Sequence, residues 1–233
     1  MSEQKIKIIK DGPYIVSGNI PLSEKNIVPK GKHYEYEEGG VLPQAEVYSL
    51  CRCGKSKNPP FCDGTHEYIK FDGTETASRE KFEDRLVRTV KGPGLDLLDD
   101  GRCALARFCH RENGHAWNLT KQSDDPENKK EAIRGASECP AGRIVAVEKN
   151  GEVHEDQLEP SIDILYDKEK GVVGPIYVKG NIKIESADGT IYEIRNRVTL
   201  CRCGQSENKP FCDARHLGKE EYERIFLKDR TKK

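Results

Sequence analysis

The sequence has no long apolar run. Nothing in its 233 residues approaches the roughly 18 to 20 apolar positions that a membrane-crossing helix needs. The N-terminus, MSEQKIKIIKDG, holds no apolar stretch suited to a signal peptide, so a soluble, cytoplasmic protein is the expectation. Net charge is nearly absent: 39 Lys and Arg against 40 Asp and Glu leave −1. That argues against nucleic acid or an acidic membrane as a partner. Hydrophobic residues are scarce as well, 35% beside 34% charged. So thin a core points to one large or two to three small units, stabilised by something besides apolar burial. No G-x-G-x-x-G or G-K-[ST] phosphate loop occurs in the needed context, and no G-x-S-x-G elbow occurs. With no catalytic constellation and no sign of a substrate pocket, the chain is not expected to be an enzyme.

Against these absences stand nine cysteines. An odd number leaves at least one unpaired, and without an export signal the expected compartment is reducing. They fall into three groups of three: 51/53/62, 103/109/139 and 201/203/212. Metal ligation is the leading reading of such grouping.

Two groups sit in an internal repeat. Residues 50–66 read LCRCGKSKNPPFCDGTH and residues 200–216 read LCRCGQSENKPFCDARH, without a gap. Upstream, GPYIVSGNIPL from Gly12 matches GPIYVKGNIKI from Gly174. Tyr14, Val16 and Ile20 alternate in one copy, and Ile176, Val178, Ile182 and Ile184 in the other, which reads as strands. The Gly-Asn pair inside each run predicts a turn or bulge. SADGTIYEIRNRVTL predicts an Asp-Gly turn and a strand running into Cys201. The first copy carries about a dozen extra residues around 25–40.

Between the copies the pattern changes. Helices are expected over 76–90, with Phe82, Leu86 and Val90 on one face and the GPG at 92–94 as terminator, over 101–111, and over 126–137, where Pro126 suits a first turn. RIVAVEKNGEVHE predicts a strand, an Asn-Gly turn and a second strand. Trp117 is expected to pack over this α+β module, and the C-terminal GKEEYERIFLKDRTKK to form a solvated helix and tail.

The repeated spacing is C-x-C-x8-C-x3-H. Thiolates suit iron–sulfur clusters, zinc and Cu(I). The two thiolates of C-x-C can reach one iron, and the later Cys and His a second. A zinc knuckle is the alternative, although zinc sites usually use C-x2-C. Asp63 and Asp213 are placed to cap a helix start, with the histidine in its first turn.

The residues C-x-C-x2-S-x3-P-x-C-D-G-x-H resemble the CDGSH, or mitoNEET-type, iron–sulfur domain. The resemblance implies two [2Fe–2S] clusters, each held by three Cys and one His: Cys51, Cys53, Cys62 and His66, and Cys201, Cys203, Cys212 and His216. It also implies an acid-labile, redox-active centre and a β-cap that brings two sites together. The second copy departs from the pattern, with Ala214 and Arg215 after the Asp. An arginine there would be expected to raise the cluster potential. A neutral imidazole ligand should set the potential above that of four-thiolate ferredoxins and make it depend on pH.

Cys103, Cys109 and Cys139-Pro140 resemble the divergent mono-cluster ferredoxins, with Ala106 where a further cysteine would fall. That implies a third cluster, [3Fe–4S], or [4Fe–4S] with a non-cysteine ligand such as His110 or His115. The alternative is a degenerate module with free thiols. The expected architecture is α+β: two small CDGSH units (1–75 and 166–233) pair within the chain as a pseudo-dimer, with a ferredoxin-like module (76–165) inserted between them. Electron transfer with a redox partner protein is the expected role. The alternative is cluster storage, delivery to an apo-acceptor, or redox sensing. A monomer is expected, with no nucleic acid and no membrane.

Overall fold

The computed structural model describes residues 3–227. The fold is mixed α+β, mostly sheet with few helices. Each repeat copy begins upstream of the matched segment. In the first copy, the strand Lys5–Ile8 pairs antiparallel with Tyr14–Ser17, which pairs with Val47–Leu50. In the second, Ser161–Asp167 pairs antiparallel with Val172–Lys179, which pairs with Arg197–Leu200. The strand Ser161–Asp167 therefore straddles the boundary expected at 165/166 and lies in the sheet of the second copy.

The remaining strand of each copy crosses over. Leu22–Lys30 of the first pairs in parallel with Ser161–Asp167 of the second. Lys183–Glu185 of the second pairs in parallel with Lys5–Ile8 of the first. The Gly-Asn pairs make the crossings possible. Gly18 and Asn19 have φ of 91° and 55°, and Gly180 and Asn181 have 76° and 59°. Glycine is required at the first position of each pair, because a Cβ on Gly18 would meet the Gln4 backbone at 2.6 Å and one on Gly180 the Pro160 backbone at 2.4 Å. The exchange yields a four-stranded and a five-stranded sheet that enclose one core. Ile6, Ile8, Tyr14, Val16 and Leu50 pack there with Ile162, Ile164, Ile176, Val178 and Leu200. The extra residues of the first copy form the outer hairpin of the five-stranded sheet, with strands Leu22–Lys30 and His33–Val41.

The central module has its own antiparallel sheet, Arg88–Lys91, Leu95–Asp99, Ile144–Glu148 and Val153–His154. Its core holds Leu95, Leu97, Leu119, Ala132, Ala136 and Ile144, with Trp117 packed against it. The helix Pro126–Ser137 forms over the expected span, with Pro126 at its start and Asp125 accepting from the amides of Glu127 and Asn128. The Asn-Gly hairpin also forms.

Two expected helices do not form. Residues 88–91 are an edge strand, and residues 79–86 are held in turns by tertiary contacts. Phe82 N–H donates to Glu193, Arg85 bonds Asp100 and Glu193, and Arg195 lies 4.0 Å over the Phe82 ring. These bonds override a weak local periodicity. The GPG is a hairpin turn, closed by Gly92 N–H to the Leu95 carbonyl. Residues 101–109 form an irregular loop, with left-handed Leu105 (φ 53°) and Arg107 (φ 65°), ahead of a short strand, His110–Arg111. The C-terminal helix is Lys219–Phe226, and the tail at 228–233 lies outside the described residues.

Candidate metal centres

In both copies a strand ends at the residue before the first cysteine. An antiparallel bridge, Leu50 to Phe61 or Leu200 to Phe211, then folds the loop back. Cys51 N–H donates to the Pro60 carbonyl and Cys62 N–H to that of Ser49, and the second copy repeats both bonds. The bridge sets the first and third cysteines side by side. Ser56 Oγ donates to the Phe61 carbonyl at 2.6 Å, and Ser206 Oγ to that of Phe211 at 2.7 Å, which fixes the loop curl.

The potential ligands come in pairs. Cys51 Sγ lies 3.6 Å from Cys53 Sγ, and Cys62 Sγ lies 3.3 Å from His66 Nδ1. In the second copy the distances are 3.6 Å for Cys201–Cys203 and 3.5 Å for Cys212–His216. Burial lowers the His216 pKa to about 4, so its ring is neutral near pH 7 and has a lone pair to give.

Asp63 and Asp213 are not helix caps. Left-handed Gly64 and Ala214 occupy the cap position, and the carboxylates instead accept from the amides of Lys57 and Thr65, and of Glu207 and Arg215. Those amide bonds hold the Asp63 carboxyl well below the usual carboxylate range. Arg215 is tied to Asp213 and Glu207 and lies 4.6 Å over Tyr222. Its charge is offset by two carboxylates, which removes the basis for a strong effect on a cluster potential.

The two loops touch through backbone. A Cβ on Gly54 would lie 2.6 Å from the Cys203 carbonyl oxygen, and one on Gly204 would lie 2.7 Å from that of Cys53. Tyr14 Oη, deep in the shared core, donates to the carbonyls of Cys201 (2.8 Å) and Pro210 (3.1 Å). Arg52 is satisfied by the carbonyls of Ile9, Gly12 and Gly73. Its counterpart Arg202 is buried, and its Nη1 has no partner among the described residues. Arg202 lines a cavity of about 360 Å3 together with Cys51, Cys203 and His216. An unpaired buried donor costs about 1–3 kcal/mol, more when charged. The donor set of paired thiols and an imidazole in each loop fits an iron–sulfur group. Sequence reasoning missed Arg202, because the two copies read identically at C-R-C.

The third set of cysteines also converges. Cys103, Cys109 and Cys139 line one small cavity of about 30 Å3 beneath Trp117 and Pro140. The Leu105 amide points at Cys103 Sγ, 3.3 Å away. A loop with left-handed residues turns such amides toward an anion, which a helix over 101–111 would have prevented. Burial raises the Cys109 and Cys139 thiols, which a bound metal would reverse. Ala106 is buried with Ile27, Phe108, Leu165 and Tyr177. His110 and His115 meet edge to face, with ring centres 4.3 Å apart, and are not in the cavity lining. Arg143 makes a two-pronged bond to Asp99 (2.7 and 2.9 Å), and Trp117 Nε1 donates to the same carboxylate.

Among the described residues, no helix is long and apolar enough to cross a membrane. Neither the curated proteins nor the solved structures include a match to this chain. A family model described as an iron-binding zinc finger of CDGSH type matches residues 11–67 and 173–217, and one described as a divergent 4Fe-4S mono-cluster matches residues 90–149. The chain is thus an iron–sulfur binding protein with two CDGSH regions flanking a divergent mono-cluster domain.

Proposed function

We propose that the protein is an electron carrier rather than an enzyme, with a [2Fe–2S] cluster at each CDGSH loop and a third cluster in the central module. The observation that carries this reading is the repeated pairing of ligands, 3.6 Å for each C-x-C and 3.3 or 3.5 Å for each Cys–His. Two pairs per loop suit two irons. Cys51, Cys53, Cys62 and His66 would hold one cluster, and Cys201, Cys203, Cys212 and His216 the other. Bound clusters would supply one-electron redox chemistry. The chain itself fixes the loops by the Leu50–Phe61 and Leu200–Phe211 bridges and shields them under one core. The exchanged strands and shared core support an intramolecular pseudo-dimer, with the central ferredoxin-like module inserted between its halves.

Cys103, Cys109 and Cys139 would hold the third cluster. Ala106, at the place of a fourth ligand, faces apolar side chains, which favours [3Fe–4S] over a fully ligated [4Fe–4S]. A second reading, cluster storage and delivery to an apo-acceptor or redox sensing, is favoured by the half-buried Cys62 and His66, which solvent and a partner protein can reach. Iron, sulfide and zinc content of anaerobically purified protein, with EPR, tests the proposal. About four irons per chain would mean the CDGSH clusters alone, and about seven would add a [3Fe–4S] centre. Colourless protein containing zinc would refute it. Mixing with apo-ferredoxin separates the two readings: a carrier keeps its absorbance, and a donor loses it as the acceptor gains it.

A further inference from the structure

The central module meets the two cysteine loops unequally. Cys103 and Cys212 line one cavity of about 630 Å3. Arg102, beside Cys103, lies 4.2 Å over the ring of Phe211, beside Cys212. Arg197 donates from Nη1 to the carbonyls of Ala136 and Cys139, both at 2.9 Å, and it begins the strand Arg197–Leu200 that leads into Cys201. A Cβ on Gly142 would lie 2.5 Å from the Arg197 carbonyl oxygen, so module and strand are in backbone contact. Burial of the third cysteine follows the contact, with Cys212 buried and Cys62 half-buried, whereas at the second cysteine the order is reversed, with Cys53 buried and Cys203 half-buried.

The module reaches the N-terminal half elsewhere, through the hairpin of residues 22–41. There Tyr36 stacks on Phe108 with ring centres 4.3 Å apart, and His33 bonds Glu112 at 2.9 Å. Among the described residues, no hydrogen bond, ion pair or ring contact joins the loop of residues 50–66 to residues 88–154. That loop faces the C-terminal one, through Gly54 on Cys203 and Gly204 on Cys53.

We infer that the C-terminal CDGSH loop is the electron junction of the protein, through which the central cysteines and the N-terminal loop communicate. The inference rests on the three-cluster reading above. An electron supplied by a low-potential one-electron donor to the centre held by Cys103, Cys109 and Cys139 crosses to the centre held by Cys201, Cys203, Cys212 and His216. The first is oxidised by one electron as the second is reduced by one. The same exchange across the Gly54–Cys203 contact then reduces the N-terminal centre. No bond is made or broken. The unequal cover of the third cysteine gives the ends different roles: the half-buried Cys62 side of the N-terminal loop faces a partner, and the covered Cys212 side of the C-terminal loop serves the central module.

The test uses the full-length holoprotein, fully reduced with dithionite, in which every centre is paramagnetic and speeds the spin relaxation of its neighbours. His66→Cys and His216→Cys each keep four ligands and displace one [2Fe–2S] EPR signal, which assigns the two. The C-terminal signal is expected to saturate at several-fold higher microwave power than the N-terminal one. Cys139→Ser, which removes the central centre, should lower that value toward the N-terminal one and leave the N-terminal signal unchanged. Should Cys139→Ser fail to fold, the ratio in the unaltered protein decides. Equal saturation of the two signals, or stronger relaxation of the N-terminal one, would overturn the inference. Absence of cluster signals from the unaltered protein would instead refute the proposed function.

Discussion

Gly54 rests against the backbone of Cys203, so closely that a Cβ would stand 2.6 Å from the carbonyl oxygen, and Gly204 rests in the same way on Cys53. Each loop therefore forms part of the wall of the other. Gly54 also has a φ of 71°, so a side chain there brings both strain and overlap. Gly54→Ala should cost at least about 2 kcal/mol and, on the proposed cluster assignment, make the signals of both CDGSH loops more labile, although it alters one loop. Loss of visible absorbance against time, with the two signals resolved by EPR, checks this. Loss at the N-terminal site alone would show the loops to be independent.

Gly64 gives a contrasting case. It also has a left-handed φ, 84°, but a Cβ there meets nothing within 4 Å, and Ala214 already occupies the equivalent place at φ 73°. Gly64→Ala should cost only the left-handed strain, about 1 kcal/mol, and leave the iron content unchanged. A denaturant melt beside an iron assay measures both.

Tyr14 belongs to the N-terminal copy yet serves the C-terminal loop. Its buried hydroxyl donates to the carbonyls of Cys201 and Pro210. Tyr14→Phe leaves both acceptors without this donor and should cost about 1–3 kcal/mol. The C-terminal cluster should be lost first on mild denaturation, with the N-terminal signal persisting.

Arg197 ties three parts together: the strand into Cys201, the carbonyl of Cys139, and Glu155, which it grips at 2.6 and 2.8 Å. Arg197 is buried but Glu155 is only half-buried, so removing the guanidinium should cost about 1–3 kcal/mol. Arg197→Leu should strip the central centre, so that iron falls from about seven to about four per chain if the site holds three irons. Retention of all the iron would show that Arg197 does not support Cys139.

His33 links the outer hairpin to the central module through Glu112 at 2.9 Å, with Glu35 on its other ring nitrogen at 3.1 Å. Those two carboxylates raise its pKa above 6.5. A raised folded pKa gives stability that is fully present below about 6.5 and is lost as pH rises through the folded value. The protection of the Lys32 amide, whose N–H donates to Glu112, should therefore fall as pH rises through the folded His33 value, once base-catalysed intrinsic exchange is divided out. In His33→Gln that pH response should vanish.

What the sequence determined by itself is local. The C-x-C-x8-C-x3-H spacing, the duplication, the Gly-Asn turns, the helix Pro126–Ser137 and the Asn-Gly hairpin depend on neighbours along the chain, and each was legible. Covalent spacing and backbone preference act over a few residues, and those are what a sequence displays. The failures share the opposite cause. Residues 76–90 have a faint helical period, but Glu193 and Arg195, distant in sequence, together with the nearer Asp100, hold them in turns and an edge strand. Residues 101–111 gave no sign of a loop, because the left-handed turns at Leu105 and Arg107 belong to residue types that normally avoid them. Only the tertiary structure decided that each copy lends a strand to the other, that Arg202 Nη1 lacks a partner while Arg52 is held by three carbonyls, and that the central module covers Cys212 and leaves Cys62 half-exposed. Those outcomes follow from packing between segments more than a hundred residues apart, where an identical C-R-C motif meets two different surroundings.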